Sequence, residues 1–119
     1  MKITKVENFS MPSYYSFVEY RNEEGNLHRE DGPAYLGSYD LKKFSHYYYI
    51  NGKLHRENDL PAVIKPGGYK KWYFNDKLHR LNGPASKGPG YKYYYFHGEF
   101  IDVKSLKEFK KVIKLMAFK

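Results

Sequence analysis

NGKLHR at residues 51–56 decides the fold, because two close copies of it occur in the same chain. EGNLHR stands at residues 24–29 and NDKLHR at residues 75–80, so the histidines are 27 and then 24 residues apart. A Pro-Ala pair follows each copy, at residues 33–34, 61–62 and 84–85. The sequence therefore predicts a tandem array of one short supersecondary unit, which builds an extended surface and usually no enclosed reaction chamber.

A run of aromatic residues bounded by turn residues, the pattern of a β-strand, leads into each of the last three turns. Asn51-Gly52 is the strongest short hairpin pattern, since a type I′ turn needs a positive φ at both central positions. Asn75-Asp76 and His97-Gly98 are weaker versions of this turn. The fourth copy, around His97-Gly98, is degenerate because Ile101 stands where the histidine would be.

Counting outward from the turn predicts the register of each hairpin. The predicted pairs are Tyr49–Leu54, Tyr48–His55 and Tyr47–Arg56, with Lys71–Arg80 at the last position in the next copy. Because successive side chains of a strand point to opposite faces, aromatic rings lie on both faces of the sheet. This favours a single-layer sheet over a β-sandwich. The predicted fold is mainly β: an antiparallel meander of tandem β-hairpin repeats in an extended twisted sheet.

About four hairpin repeats are expected over residues 14–102, followed by a C-terminal α-helix at 105–117, all within one domain, 1–119. Ser105 and Glu108 form a capping box at the start of this helix. Apolar residues recur at helical spacing behind it, and lysines occupy most of the remaining surface. The helix is predicted to cap the last open strand edge; the alternative is a basic helix that binds a partner or a membrane surface.

Composition narrows the possible partners. Tyr supplies 14 of the 119 residues and Phe 8, while 21 Lys and Arg against 13 Asp and Glu give a formal net charge of +8. Such a charge favours binding to nucleic acid, acidic proteins or lipid head groups, and it does not distinguish among these partners. The absence of cysteine excludes disulfides and thiolate metal sites. We see neither a signal peptide nor an apolar run of membrane-spanning length, so a cytoplasmic protein is expected.

The repeated histidines are more consistent with packing than with chemistry. Equivalent residues of successive two-strand repeats should lie about 10 Å apart, so His28, His55 and His79 cannot share one metal ion. No nucleophile elbow, phosphate loop or paired-carboxylate arrangement is present. We therefore expect a protein that is not an enzyme and that uses no catalytic residue, metal or cofactor.

The arginines after those histidines have two interpretations. Arg29, Arg56 and Arg80 can stack on neighbouring rings such as Tyr47 and reach turn carbonyls, or they can form a ladder of exposed cations. Basic and aromatic residues also interleave at 69–73 and 91–95, as in proteins that hold single-stranded nucleic acid. The same rings are needed to stabilise a single-layer sheet.

The phrase YYINGKLH at residues 48–55 resembles a MORN repeat, and the continuation His-Arg-x-x-Gly-Pro-Ala at 28–34 and 79–85 is similar to a MORN-like variant common in phages and large DNA viruses. This resemblance covers about residues 14–102. It implies stacked hairpins that serve as a scaffold or binding surface. In the standard motif a glycine usually follows the histidine, where this chain has arginine, so the lipid-binding role of standard repeats is not expected here.

These observations favour a non-enzymatic protein-binding module that docks on an acidic protein surface. By the resemblance, it would be a phage- or virus-encoded protein that modulates a host protein such as a defence enzyme, in the host cytoplasm. Nonspecific binding of single-stranded nucleic acid is the alternative, and self-assembly through strand edges a third possibility. The candidate partner-binding residues are Arg29, Tyr47, Tyr49, Arg56, Lys70, Lys71, Tyr73, Arg80, Lys92, Tyr93 and Tyr95.

Overall fold

A computed structural model describes residues 2–8 and 15–117. The predicted start of the repeats at residue 14 lies outside them. The described residues form thirteen strands and one helix: β1 (Thr4–Asn8), β2 (Ser16–Arg21), β3 (Tyr35–Ser38), β4 (Ser45–Tyr47), β5 (Tyr49–Ile50), β6 (Lys53–Leu54), β7 (Val63–Lys65), β8 (Tyr69–Lys71), β9 (Tyr73–Phe74), β10 (Lys77–Leu78), β11 (Ser86–Gly88), β12 (Tyr91–Phe96), β13 (Glu99–Ile101) and α1 (Leu106–Met116).

Nine of these strands form one antiparallel sheet in the order β1-β2-β3-β4-β7-β8-β11-β12-β13. The β5–β6 and β9–β10 hairpins form two further two-stranded ladders. The sheet follows chain order throughout, and the molecule measures 49 × 35 × 18 Å, which is the shape of a slab. The predicted antiparallel meander of hairpins with a C-terminal helix is confirmed.

The turns have the predicted geometry. Asn51 and Gly52 have φ values of 49° and 79°, and the pairs Tyr49–Leu54 and Ile50–Lys53 form as counted. Asn75 and Asp76 repeat this geometry with φ values of 48° and 68°. Two adjacent positive φ values are what a type I′ turn requires, so short-range turn chemistry sets the register of each hairpin.

Each hairpin leaves the main sheet at a single residue, Tyr48 or Trp72. The Tyr48 amide donates to the Ala62 carbonyl of the sheet (2.7 Å), while its carbonyl accepts from His55 in the hairpin (3.1 Å). Trp72 bonds to Ala85 and His79 in the same way. The backbone changes partners at these residues, which is why β4 and β5 are separate strands.

This change of partner makes the last predicted pair of each hairpin wrong. The Arg56 amide does not pair with Tyr47; it donates to the carbonyl of Tyr73 in the next repeat (3.4 Å). The Arg80 amide likewise donates to the Tyr95 carbonyl (3.4 Å) and not to Lys71. Successive hairpins are therefore joined through the residue that a simple hairpin would use internally.

The stacking bonds between repeats are alike at every junction. The amides of Gly52, Asp76 and Gly98 each donate to a leucine carbonyl of the preceding hairpin at 2.8 Å. The alanines of the Pro-Ala pairs, Ala34, Ala62 and Ala85, are fully buried. One junction repeated along the chain is what defines a solenoid-like array, in which each unit contacts its neighbours.

Helix α1 packs on the last hairpin. Ser105 caps it by accepting the Glu108 amide (3.1 Å), and the Ser105 hydroxyl donates to the Glu108 carboxylate (3.4 Å). Phe109 is fully buried against Tyr94 and Ile101. The helix thus covers a face of β12 and β13 through their side chains, and Ile101 replaces the repeat histidine because it belongs to this apolar cluster.

Candidate partner-binding surfaces

The sheet has two faces of different chemistry, assigned from the cross-strand register, since directly opposed residues share a face. Lys71 is opposed to Val63 and Ser86, which are in turn opposed to Tyr47 and Tyr93. We call this side the tyrosine face; its members used below are Tyr47, Tyr49, Lys65, Tyr69, Lys71, Tyr73, Tyr91, Tyr93, Tyr95 and Phe100. The other side, the arginine face, carries Arg29, Arg56, Arg80, Tyr48, Trp72, Tyr94, Lys70, Lys87 and Lys92.

The three arginines stack on rings of the arginine face. Arg29, Arg56 and Arg80 lie 4.0, 3.8 and 3.8 Å from the ring centroids of Tyr20, Tyr48 and Trp72, respectively. Their Nη1 groups donate to the carbonyls of the prolines that follow, at positions 33, 61 and 84. The prediction that these arginines stack on aromatic rings is confirmed. The prediction of Tyr47 as one of those rings is wrong, because Tyr47 lies on the opposite face.

Asp59 has a structural role that was not predicted from the sequence. Its carboxylate accepts two hydrogen bonds from Arg80 (2.8 and 3.3 Å), and its carbonyl accepts the Trp72 Nε1–H (3.0 Å). The second repeat has one more residue between its arginine and its proline than the other two repeats. That extra residue is the feature that could have identified this bridge between the second and third repeats.

The repeat histidines join each hairpin to the next one. Nδ1 of His28, His55 and His79 accepts the amide of Asn51, Asn75 and His97 at 2.9, 3.1 and 2.8 Å. An Nδ1 that accepts a hydrogen bond has no lone pair left, so the neutral ring carries its proton on Nε2. A ring in this state is neither a general base nor a metal ligand. In the part of the chain that the structure describes, no group of His, Cys, Asp or Glu could hold a metal ion.

Stability is expected to depend on pH through His79. Burial lowers the pKa of His79, and His97 lowers it further. The unfolded chain, with an ordinary histidine pKa of about 6.5, then binds a proton that the folded chain excludes. The free energy of unfolding should therefore be highest above about pH 6.5 and fall as the pH drops through the folded-state pKa of His79. Urea denaturation across this pH range measures the loss.

His79→Asn is the matched variant for this experiment. Asparagine offers an oxygen that can accept the His97 amide, and it does not titrate. Its free energy of unfolding should depend less on pH than that of the parent chain. Burial and Arg56 also lower the pKa of His46, and this contribution is present in both chains. Equal pH dependence in parent and variant would contradict the assignment.

A cleft of about 480 Å³ lies between the first and second repeats on the arginine face. Two of its acidic side chains have partners: Asp31 accepts a hydrogen bond from Arg29 (3.1 Å), and Glu57 contacts the Nε2 atom of the neutral His55 ring. The cleft is therefore lined by a mixture of hydrogen-bonded side chains and the exposed carboxylate of Glu30.

Three of the exposed rings lie on the tyrosine face in the C-terminal half of the chain. Tyr69, Tyr93 and Phe100 are 42%, 46% and 49% exposed, and Phe100 lies 5.9 Å from the Tyr93 ring and 5.6 Å from the Tyr95 ring. Burial raises the pKa of Tyr49 and of Tyr73, so their hydroxyls stay neutral and able to hydrogen-bond. Tyr91, Tyr93, Tyr95 and Phe100 thus form a chain of ring contacts on this face.

The pleat separates residues that interleave in the sequence. In the segment 91–95, Tyr91, Tyr93 and Tyr95 lie on the tyrosine face, whereas Lys92 lies on the arginine face beside the buried Tyr94. In the segment 69–73, Lys71 lies with Tyr69 on the tyrosine face, whereas Lys70 lies on the arginine face. All five candidate tyrosines, 47, 49, 73, 93 and 95, share the tyrosine face with Lys71. The three candidate arginines share the arginine face with Lys70 and Lys92.

The net positive charge of the chain comes from its C-terminal half. Residues 1–59 contain eight Lys and Arg and nine Asp and Glu, whereas residues 60–119 contain thirteen and four. Because the sheet follows chain order, this division runs along its long direction. A cationic field at the end that also carries the exposed rings would attract an acidic partner to that end.

Comparison with known proteins gives no match: no protein-family model, curated protein or solved structure corresponds to this chain. The resemblance to MORN repeats stays a prediction that is based on the residues quoted above. Within residues 2–8 and 15–117, no helix is long and apolar enough to cross a membrane.

Proposed function

We propose that this protein is a non-enzymatic protein-binding module that docks its tyrosine face on an acidic surface of a partner protein. The observation that carries this proposal is that register and alternation put all five candidate tyrosines on one face, with half-exposed Phe100 beside Tyr93 and Tyr95 and with Lys71 on the same face. Tyrosines that combine a large ring with a polar tip are typical interface anchors. The histidine rings, whose Nδ1 atoms bond to neighbouring hairpins, support a role without catalysis.

The origin of the chain and the identity of its partner form a further part of the proposal. The chain is a phage- or virus-encoded protein that binds and modulates a host protein such as a defence enzyme, in the host cytoplasm. The resemblance to MORN-like repeats of phages and large DNA viruses is the only support for this part.

Binding of single-stranded nucleic acid is the second candidate function. Lys71 and Lys65, which lies 6.0 Å from the Tyr47 ring, sit beside tyrosines on the same face and favour it. The position of Lys70 and Lys92 on the opposite face argues against it, because stacked bases need rings and cations on one surface.

Affinity capture with the tyrosine-face variant Tyr93→Ala/Phe100→Ala tests the proposed function. The immobilised parent chain should retain a stoichiometric protein from nuclease-treated lysate of the host cell. The variant should bind that protein at least about tenfold more weakly, since buried aromatic anchors contribute most of the energy of an interface.

Leu81→Ala is the matched control, since Leu81 is 47% exposed and lines a cleft with arginine-face residues. It should bind the captured protein like the parent chain. Capture of nucleic acid alone, or equal loss of affinity in the control, would contradict the proposal.

A further inference from the structure

Three lysines stand directly opposite one another on the arginine face. Lys87 in β11 is opposed to Lys70 in β8 on one side and to Lys92 in β12 on the other. Adjacent strands are about 4.8 Å apart, so the three side chains form a row across the sheet that we call the lysine row. Like charges directly opposed in a sheet destabilise it. The fold therefore holds this row at a cost in stability.

The lysine row has little acidic counter-charge around it, and the Lys87 ammonium lies 5.6 Å from the centroid of the Trp72 ring. Between residues 60 and 98 the chain has seven Lys and Arg but a single acid, Asp76, whose carboxylate already accepts the Leu54 amide (2.7 Å). Among the described residues, no salt bridge includes Lys70, Lys87 or Lys92. Arg80 does not compete for an anion here, because Asp59 pairs with it.

We propose that the lysine row binds an acidic segment of a polypeptide, as a second docking surface separate from the tyrosine face. Charge complementarity supports an anionic occupant. Nucleic acid fits less well, because the rings beside the row, Trp72 and Tyr94, are each only 6% exposed and cannot stack on bases. The slab can then hold one partner on each face.

Fluorescence anisotropy with a labelled oligoglutamate peptide tests this surface directly on the full chain. Lys70→Gln/Lys87→Gln/Lys92→Gln should weaken peptide binding about tenfold, the effect expected of three partly exposed ion pairs. The same variant should unfold at an equal or higher temperature than the parent chain, because the repulsion in the row is removed. A lower unfolding temperature in the variant would show that its loss of binding comes from misfolding.

Lys107→Gln/Lys110→Gln/Lys111→Gln is the charge-matched control, since it removes three exposed lysines of α1. It should bind the peptide nearly as tightly as the parent chain, and so should the tyrosine-face variant Tyr93→Ala/Phe100→Ala. Failure of the tyrosine-face proposal would therefore leave this result unchanged. Equal weakening by the helix control, or tighter binding of oligodeoxythymidine than of oligoglutamate at the same salt, would overturn the inference.

Discussion

Replacing Trp72 with alanine is expected to lower the free energy of unfolding by about 3–5 kcal/mol. Trp72 is 6% exposed and lies at the point where β8 passes from the sheet into a hairpin. Its ring supports the Arg80 guanidinium at 3.8 Å, and its Nε1–H bonds to Asp59. The substitution removes a large buried ring and leaves Arg80 without its stacking partner. Urea denaturation followed by circular dichroism measures the change.

Trp72→Tyr is the natural control, because the equivalent positions of the first two repeats are Tyr20 and Tyr48, each beneath an arginine. Tyrosine keeps the stacking surface and loses the bond to Asp59, so we expect a loss of about 1–2 kcal/mol. If tyrosine proves as damaging as alanine, the stack with Arg80 is not what this ring contributes.

Phe109→Ala is expected to cost a similar amount, about 3–5 kcal/mol, and to release α1 from the sheet. Phe109 is fully buried, and its ring lies 5.2 Å from that of Tyr94. The helix has only 11 residues, too few to persist without packing. Limited proteolysis should therefore cut the variant within residues 106–116 under conditions in which the parent chain resists.

Leu115→Ala serves as the control for the helix, since Leu115 is 69% exposed. It should change stability by no more than about 0.5 kcal/mol and leave the cleavage pattern unaltered. A helix that stays protected in Phe109→Ala would show that contacts other than this ring hold it.

Turn chemistry made much of the fold predictable. Asn51-Gly52 requires a type I′ turn, and the turn then determines which residues are opposed for the next few positions. Alternation places Tyr47 and Tyr49 on one side of the sheet. These are local rules, and residues within a few positions of the turn follow them.

Features that depend on neighbouring repeats were not predictable in this way. The Arg56 amide leaves its own hairpin for Tyr73, because the backbone changes partners at Tyr48. The lysine row depends on the register between β8 and β11, which the intervening hairpin and the Pro-Ala segment determine together. Lys70 and Lys87 are 17 residues apart, and no periodicity in the sequence relates them.

The identical junctions between hairpins have a consequence for how such a chain evolves. A duplication or deletion of one whole unit would leave each junction amide opposite a carbonyl or a ring nitrogen of the kind it bonds to now, although deletion of the second unit would remove the Asp59 partner of Arg80. Length could therefore change in steps of one hairpin without the invention of a new interface. The reach of the tyrosine face would grow or shrink with each step, so relatives of this protein could match larger or smaller partners by copy number alone.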